Sequence, residues 1–284
     1  MTVPRAARRP PRPGICGEDR AGPRPAADAL RRPAPRVALL FALAALLVLS
    51  GCASSSNYNW GWYIFDPTLP KGQSNLAFML AGLGLTLQLS ISAIALSVLL
   101  GVLLAVAAMS PLRVLRWSSR GYVECFRAVP LLVLLLWVYY GLPVVSGLQL
   151  DAFLAGVLSL ALSDAAFEAE VFRAGLQSVA KGQREAAETL GLSRWQTFRF
   201  VIFPQAIRTI LPALGNQFVY VLKMSSLVSV IGLQELTRRA NELNVTEYRP
   251  LEIYTLLVLE YLLLILLTSW LVRRLERRMS KTPG

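Results

Sequence analysis

The stretch Gln177 to Pro204, QSVAKGQREAAETLGLSRWQTFRFVIFP, is a polar interruption between two long apolar runs, and its organisation decides how the chain is read. Gln183 to Leu190 consists of good helix formers, Gly191 is a natural left-handed stop, and Ser193 is placed to cap a second helix expected to end before Pro204. The first helix carries Ala186 and Ala187, small side chains that give it a low profile. A helix of this kind enters a groove on another protein. The alternative is a plain amphipathic connector between two spans.

The surroundings of this loop have the composition of a membrane protein. Of 284 residues, 55 % are hydrophobic and 16 % charged, whereas a soluble domain carries about 25 % charged residues. Five stretches, 76–109, 121–146, 152–173, 206–232 and 253–272, each approach or exceed the length of a membrane helix, which is roughly 20 residues. The first is longer than one crossing needs and is expected to tilt or to project beyond the lipid. It contains Gly82, Gly84, Ser90, Ser92, Ser97 and Gly101, small residues of the kind that let helices approach closely in lipid. Pro130, Pro143 and Pro212 lie in or at the ends of spans, where neighbouring helices satisfy the freed carbonyls. The fold class expected is an all-α membrane protein.

Positive charge gives the orientation. Residues 1–36 hold 9 Arg, the 110–120 loop holds Arg113, Arg116 and Arg120, the 173–208 segment holds 6 cationic residues, and the tail after Leu271 holds 5. The positive-inside rule places all four groups in the cytoplasm, so the five-span core starts outside and the C-terminus lies inside. The formal net charge of +12 is then a topology signal and not a nucleic-acid footprint.

Several chemistries are excluded at once. The chain has no histidine, so it has neither a Ser-His-Asp triad nor an imidazole metal site, and Cys16, Cys52 and Cys125 are too scattered for a CxxC pair. No lysine follows a glycine, which removes the Gly-Lys-Ser/Thr of a nucleotide-binding loop. No catalytic, cofactor or metal site is expected in this chain, and any ATP used is hydrolysed by a partner.

The N-terminal region reads separately. Residues 1–36 are rich in Arg, Pro and Ala and nearly free of large apolar side chains, a composition that cannot offset the entropy of ordering, so a disordered basic arm is expected. Residues 37–53 form a short apolar segment behind Arg31, Arg32 and Arg36, of the length of a signal sequence. It reads as a signal anchor. It also closes with Leu49-Ser50-Gly51-Cys52, which resembles the lipobox of bacterial lipoproteins, and in that alternative Cys52 is acylated after cleavage. A translation start further downstream is the third possibility. Residues 54–75 follow as a periplasmic linker whose Tyr58, Trp60, Trp62 and Tyr63 suit a membrane-water interface.

Glu185-Ala186-Ala187, Gly191, Ile202 and Pro204, at the spacing EAA-x3-G-x10-I-x-P, resemble the cytoplasmic signature of permease subunits of bacterial ABC importers. Phe167 to Gln183 (FEAEVFRAGLQSVAKGQ), Tyr122 to Pro143 and Leu222 to Leu243 resemble the polar amino-acid permeases, the histidine, glutamine and glutamate group. The resemblance covers about Asn75 to Arg278. It implies a five-span permease domain at 76–278, with a coupling loop at 177–204, a tail at 279–284 and the signal-anchor-like segment in front. It implies alternating access in the bacterial inner membrane, with helix 183–191 docking an ATPase subunit through Glu185, Ala186, Ala187, Gly191 and Pro204. The partners implied are two ABC ATPase subunits, a second permease subunit (the same or a sibling), a periplasmic or lipid-anchored substrate-binding protein, and membrane lipid, without nucleic acid. The cargo implied is a polar amino acid or a related small zwitterion. Glu170, Arg173, Gly182 and Gln183 also match the family's pattern. The chain departs from it at Phe167, where Tyr is usual, at Met224, where Asp or Asn is usual, and at Asp164, Glu168 and Glu260, where the family is uncharged. A gradient-driven secondary transporter is the competing reading; the few spans, the lack of an inverted repeat and the docking loop speak against it.

Ionisable side chains inside spans are the remaining candidates. Asp164 lies twelve residues into its span, roughly 18 Å deep at the helical rise. A carboxylate there suits the ammonium of an amino acid; the alternative is a protonated acid hydrogen-bonded to neighbouring Ser or backbone. With Phe167 and Lys223 it makes up the expected substrate path. Glu168 and Glu170 read as structural, and Arg127 as a snorkelling side chain. Lys223 and Glu260 fall at similar depth and are expected to form an ion pair between the last two spans.

Overall fold

The computed structural model describes residues 58–280. The basic arm, the apolar segment 37–53 with Cys52, the start of the linker and the last four residues lie outside the described residues. Residues 1–59 form a unit of their own, of which Tyr58 and Asn59 are described; the account below concerns Trp60 onward.

Among the described residues the elements are helical and no strand occurs. After a 3-10 turn at Trp62–Phe65 come α1 (Pro70–Met109), α2 (Arg113–Ala128), α3 (Leu131–Ser146), α4 (Ala152–Gln177), α5 (Lys181–Thr189), α6 (Arg194–Ile231), α7 (Leu236–Glu247) and α8 (Pro250–Ser280). Four helices, α1, α4, α6 and α8, are long and apolar enough to cross a membrane, and α2 with α3 make a bent fifth. The all-α, five-span expectation agrees with this.

α1 has 40 residues, about 60 Å at the helical rise. One face is a column of buried small or slender side chains, Gly82, Thr86, Ser90, Ala93, Ser97, Gly101 and Ala105, at steps of three and four. α4 packs along the later part of this column, to Gly101, whereas Gly82 and Thr86 meet α7 at Leu236. Close approach of the two backbones is the physical use of such a column in lipid, where burial against lipid tails supplies little attraction of its own. A Cβ on Gly101 would stand about 2.5 Å from Cβ of Glu168 on α4, so only glycine admits this contact. Leu89, Ala93, Leu135, Ala155, Leu160, Val221 and Val228 then close a core among α1, α3, α4 and α6. A second core unites the 3-10 turn, α1, α7 and α8 through Ile64, Met79, Leu236 and Ile253. By contrast α8 leaves Val258, Leu259, Leu262, Leu263, Leu266 and Leu267 exposed, the pattern of a lipid-facing surface.

Several boundaries differ from the sequence expectation: α1 begins at Pro70, inside the stretch 54–75 expected as a linker, α5 covers Lys181–Thr189 and not 183–191, and α8 runs Pro250–Ser280 and not 253–272. The stretch 121–146 is not one helix: α2 and α3 meet at 102°, with Val129 and Pro130 both extended. Pro130 has no N–H, and its ring disfavours helical geometry at Val129, so the break falls where the apolar run hides it. In consequence Arg113, Arg116 and Arg120 are on a helix, and the connection before it is only Ser110 to Leu112. The helix capped by Ser193 does not end before Pro204 but runs on to Ile231. Its Thr197–Ile202 turn is π-helical, with Phe203 N–H donating to Phe198 O, and the wider turn absorbs the proline that an unbroken α-helix would reject.

The end of the bundle that holds the 3-10 turn and α7 is tied by buried polar bonds. Glu235 precedes α7, accepts hydrogen bonds from Arg238 N–H (2.7 Å) and Tyr261 O–H (2.9 Å), and so fixes α7 against α8. Arg239 donates to Phe78 O at 2.9 Å and lies over the Phe78 ring, fixing α7 against α1. The 3-10 turn is held by Asn75, which donates to Ile64 O at 3.0 Å, and by Gly61 N–H on the buried Glu252 carboxylate of α8.

Candidate functional site

The loop quoted at the outset folds into α5 and the first turns of α6. α5 covers Lys181–Thr189 and ends in a complete left-handed stop. Gly191 has φ +75°, its N–H donates to Glu188 O (3.0 Å), and Leu192 N–H donates to Ala187 O (3.1 Å). Both bonds satisfy carbonyls that a helix end leaves open, and the positive φ is the reason glycine stands there. Ser193 and Gln196 form a reciprocal capping box at the start of α6, with Gln196 N–H on Ser193 Oγ and Ser193 N–H on Gln196 Oε1. Two helices are thereby joined at a defined angle by four residues.

The two faces of α5 differ. Ala187 is buried and turns towards the π-helical turn of α6, against which α5 packs. Glu185, Ala186, Glu188 and Leu190 are exposed, Leu190 at 80 %. Beneath α5, the end of α1, the end of α4 and Phe198 and Ile202 of α6 enclose a cavity of about 500 Å³. Pro204 is half-buried one turn beyond. The structure thus brings Glu185, Ala186 and Ala187 onto one short helix, with Gly191 just past its end and Pro204 behind it in α6.

The candidate substrate-path residues are placed differently from one another. Asp164 is buried and accepts hydrogen bonds from Ser97 Oγ (2.7 Å) and Gln217 Nε2 (2.6 Å), so it joins α1, α4 and α6. Phe167 lies near Tyr220 of α6, centroids 6.5 Å apart, and under the Arg127 guanidinium at 5.2 Å. That contact gives Arg127 a cation-π partner. Lys223 is exposed in the last turns of α6, near Met224. The ion pair expected between Lys223 and Glu260 does not form: neither carboxylate oxygen of Glu260 has a hydrogen-bond partner among the described residues, and Lys223 is in no ion pair there. Equal depth along two helices does not bring two side chains to the same side of them. Glu168, one turn from Asp164, is fully buried with both oxygens unpartnered among the described residues. Glu170 is paired with Arg173 three residues on, and Arg173 also donates to Gln177 Oε1 at 3.1 Å. The hydrogen bond to a serine, the alternative given for Asp164, is present with Ser97, while nothing in the sequence pairs Gln217 with it. In the sequence Ser97 is one of several small residues of its span, and Gln217 a polar residue in an apolar run.

The family model for the inner membrane component of binding-protein-dependent transport systems matches residues 97–281. The chain is 34 % identical over 216 residues to the arginine transport system permease protein ArtQ of Bacillus subtilis (strain 168), covering 76 % of this chain and 97 % of that one. It is 36 % identical over 220 residues to the glutamine transport system permease protein GlnP of Escherichia coli (strain K12), covering 77 % and 97 %. Among solved structures it is similar to a chain of an amino acid ABC transporter crystallised with histidines, with a TM-score of 0.68, 42 % identity, and coverage of 72 % of this chain and 94 % of that one. A chain of the MetNI methionine ABC transporter in an inward-facing conformation shares the fold, with a TM-score of 0.57 at 20 % identity.

Proposed function

Because the chain belongs to the family of inner membrane components of binding-protein-dependent transport systems, we propose that it is the permease subunit of an ATP-driven importer for polar amino acids or related small zwitterions. The observation that carries this reading furthest is α5: a nine-residue helix with an exposed face, ended by a left-handed glycine and set rigidly on α6 by a capping box. A rigid helix that projects from two spans transmits a push without absorbing it. Closure of an ATPase dimer against Glu185 and Ala186 would then shift α4 and α6 together, because Asp164 bonds across to Gln217.

ATP is hydrolysed by a separate subunit; the chain itself contributes the path and the lever. Two ATPase subunits, a second permease copy or sibling, and a substrate-binding protein on the outer face complete the machine. The loop bearing α5 and the C-terminus lie in the cytoplasm, a placement that the distribution of Arg and Lys supports under the positive-inside rule. Asp164 and Phe167 are the side chains assigned to the cargo's path, with Lys223 nearer its outer end. Relatives named for arginine and glutamine support amino-acid cargo. Nothing in the fold favours a gradient-driven carrier.

The test is ATPase activity of the complex reconstituted with its ATPase and a panel of binding proteins. Stimulation by one amino acid together with its binding protein is expected. ATP turnover that no amino acid and binding protein alter would contradict the assignment.

A further inference from the structure

Where α1 ends, the amphipathic helix α2 and the last turns of α4 enclose a cavity of about 420 Å³. Its walls carry three arginines, Arg120 and Arg127 from α2 and Arg173 from α4, and two carboxylates, Glu124 and Glu170. α2 is held in place to form it: Ser119 Oγ donates to Leu104 O of α1 (2.8 Å) and Tyr122 O–H donates to Leu162 O of α4 (2.8 Å). Glu170 is committed to Arg173, and that pair is neutral as a unit. Arg120 and Arg127 are in no ion pair among the described residues, although Arg127 lies over the Phe167 ring and within electrostatic reach of Glu170. They face one remaining acid, Glu124, so the cavity keeps a single net positive charge.

The rest of α2 is built for the edge of a bilayer. Leu112 just before it and Val114, Leu115 and Trp117 within it are exposed apolar side chains, interleaved with Arg113, Arg116 and Arg120. α1 reaches the cavity through Ala108 and exposes Leu103 and Val106 in the preceding turns. Apolar side chains beside arginines make an interfacial helix, with the apolar part among acyl chains and the guanidinium groups at headgroup level. Guanidinium groups bind phosphate oxygens in a planar, two-bond geometry.

We propose that this cavity holds the headgroup of an anionic phospholipid, with its phosphodiester on Arg120 and Arg127. A phosphodiester carries one negative charge, which matches the cavity's net charge, and its acyl chains would run along the exposed apolar residues of α1 and α2. The choice of leaflet, the cytoplasmic one, rests on the orientation given above; the binding itself does not.

Native mass spectrometry of the assembled permease–ATPase complex, delipidated and titrated with phosphatidylglycerol, tests it. One phosphatidylglycerol per permease subunit is expected, in preference to phosphatidylethanolamine. Arg120→Gln with Arg127→Gln should weaken it about twenty-five-fold, at about fivefold per arginine beside a lipid phosphate. Arg113→Gln with Arg116→Gln, the same charge removed from the same helix outside the cavity, should weaken it about twofold at most. Glu124→Gln should tighten it about fivefold, a gain that misfolding does not imitate. Equal losses from the two arginine pairs, weaker binding by Glu124→Gln, or equal retention of phosphatidylethanolamine would each overturn the proposal. Displacement of the lipid by inorganic phosphate at the same concentration would overturn the lipid as the ligand.

Discussion

Asp164 is the residue at which sequence and structure complement one another. Its depth in an apolar run singles it out, but its partners lie 67 and 53 residues away in the chain, and no local pattern connects them. The structure makes it a joint of three helices. Removal of a donor from such a joint leaves part of a buried carboxylate unmatched. Ser97→Ala is therefore expected to cost about 1 kcal/mol, near the upper range for hydrogen bonds between membrane helices, seen as a lower thermal midpoint of the purified subunit. Asp164→Asn preserves both contacts, because an amide accepts from Gln217 and donates to Ser97 Oγ. It should leave that midpoint nearly unchanged while altering which amino acid stimulates the ATPase. An unchanged cargo profile would remove Asp164 from the path. Gly101 gives the sharper steric case. Gly101→Ala sets a methyl about 2.5 Å from Glu168 Cβ, and overpacking of this kind costs about 1–3 kcal/mol. The expected sign is a lower thermal midpoint, while Gly84→Ala, where nothing lies within 4 Å, should have little effect.

At the level of elements, α5 was legible almost residue by residue. Helix formers, a glycine and a serine at the right offsets are local signals, and the end of α5 and the start of α6 use only local hydrogen bonds. The break between α2 and α3 was not legible, because apolar residues continue across Val129 and Pro130 and periodicity alone cannot tell one bent span from one straight span. The continuation of α6 through Pro204 was hidden for another reason: a π-helical turn changes which carbonyl each N–H meets, and composition carries no trace of that. Gly191→Val places a β-branched residue at φ +75°, at a cost of about 1–2 kcal/mol. This strain should fray the end of α5 and loosen the ATPase from the membrane complex. Co-purification of ATPase with the variant, set against wild type, measures it, and undiminished recovery would show that the stop is dispensable for docking.

From Trp60 onward the described residues form a set of long helices locked at one end by a polar cap and, at the other, drawn out into α5. Its core was only partly readable: the number of spans follows from apolar length, whereas the pairing of α1 with α4 depends on a small-residue column whose partner no single sequence names. The orientation proposed from charge predicts that green fluorescent protein fused after Gly284 fluoresces while alkaline phosphatase fused after Pro70 is active. The reverse pattern would turn the account upside down. The central claim is that α5 couples ATP turnover to movement of an amino acid through this subunit, and uptake by proteoliposomes holding the full complex tests it most directly. The preferred amino acid should accumulate only with its binding protein outside and ATP inside. Glu185→Trp should abolish accumulation although the subunit still inserts and pairs. Undiminished uptake by that variant, or accumulation driven by an ion gradient without ATP, would contradict the account.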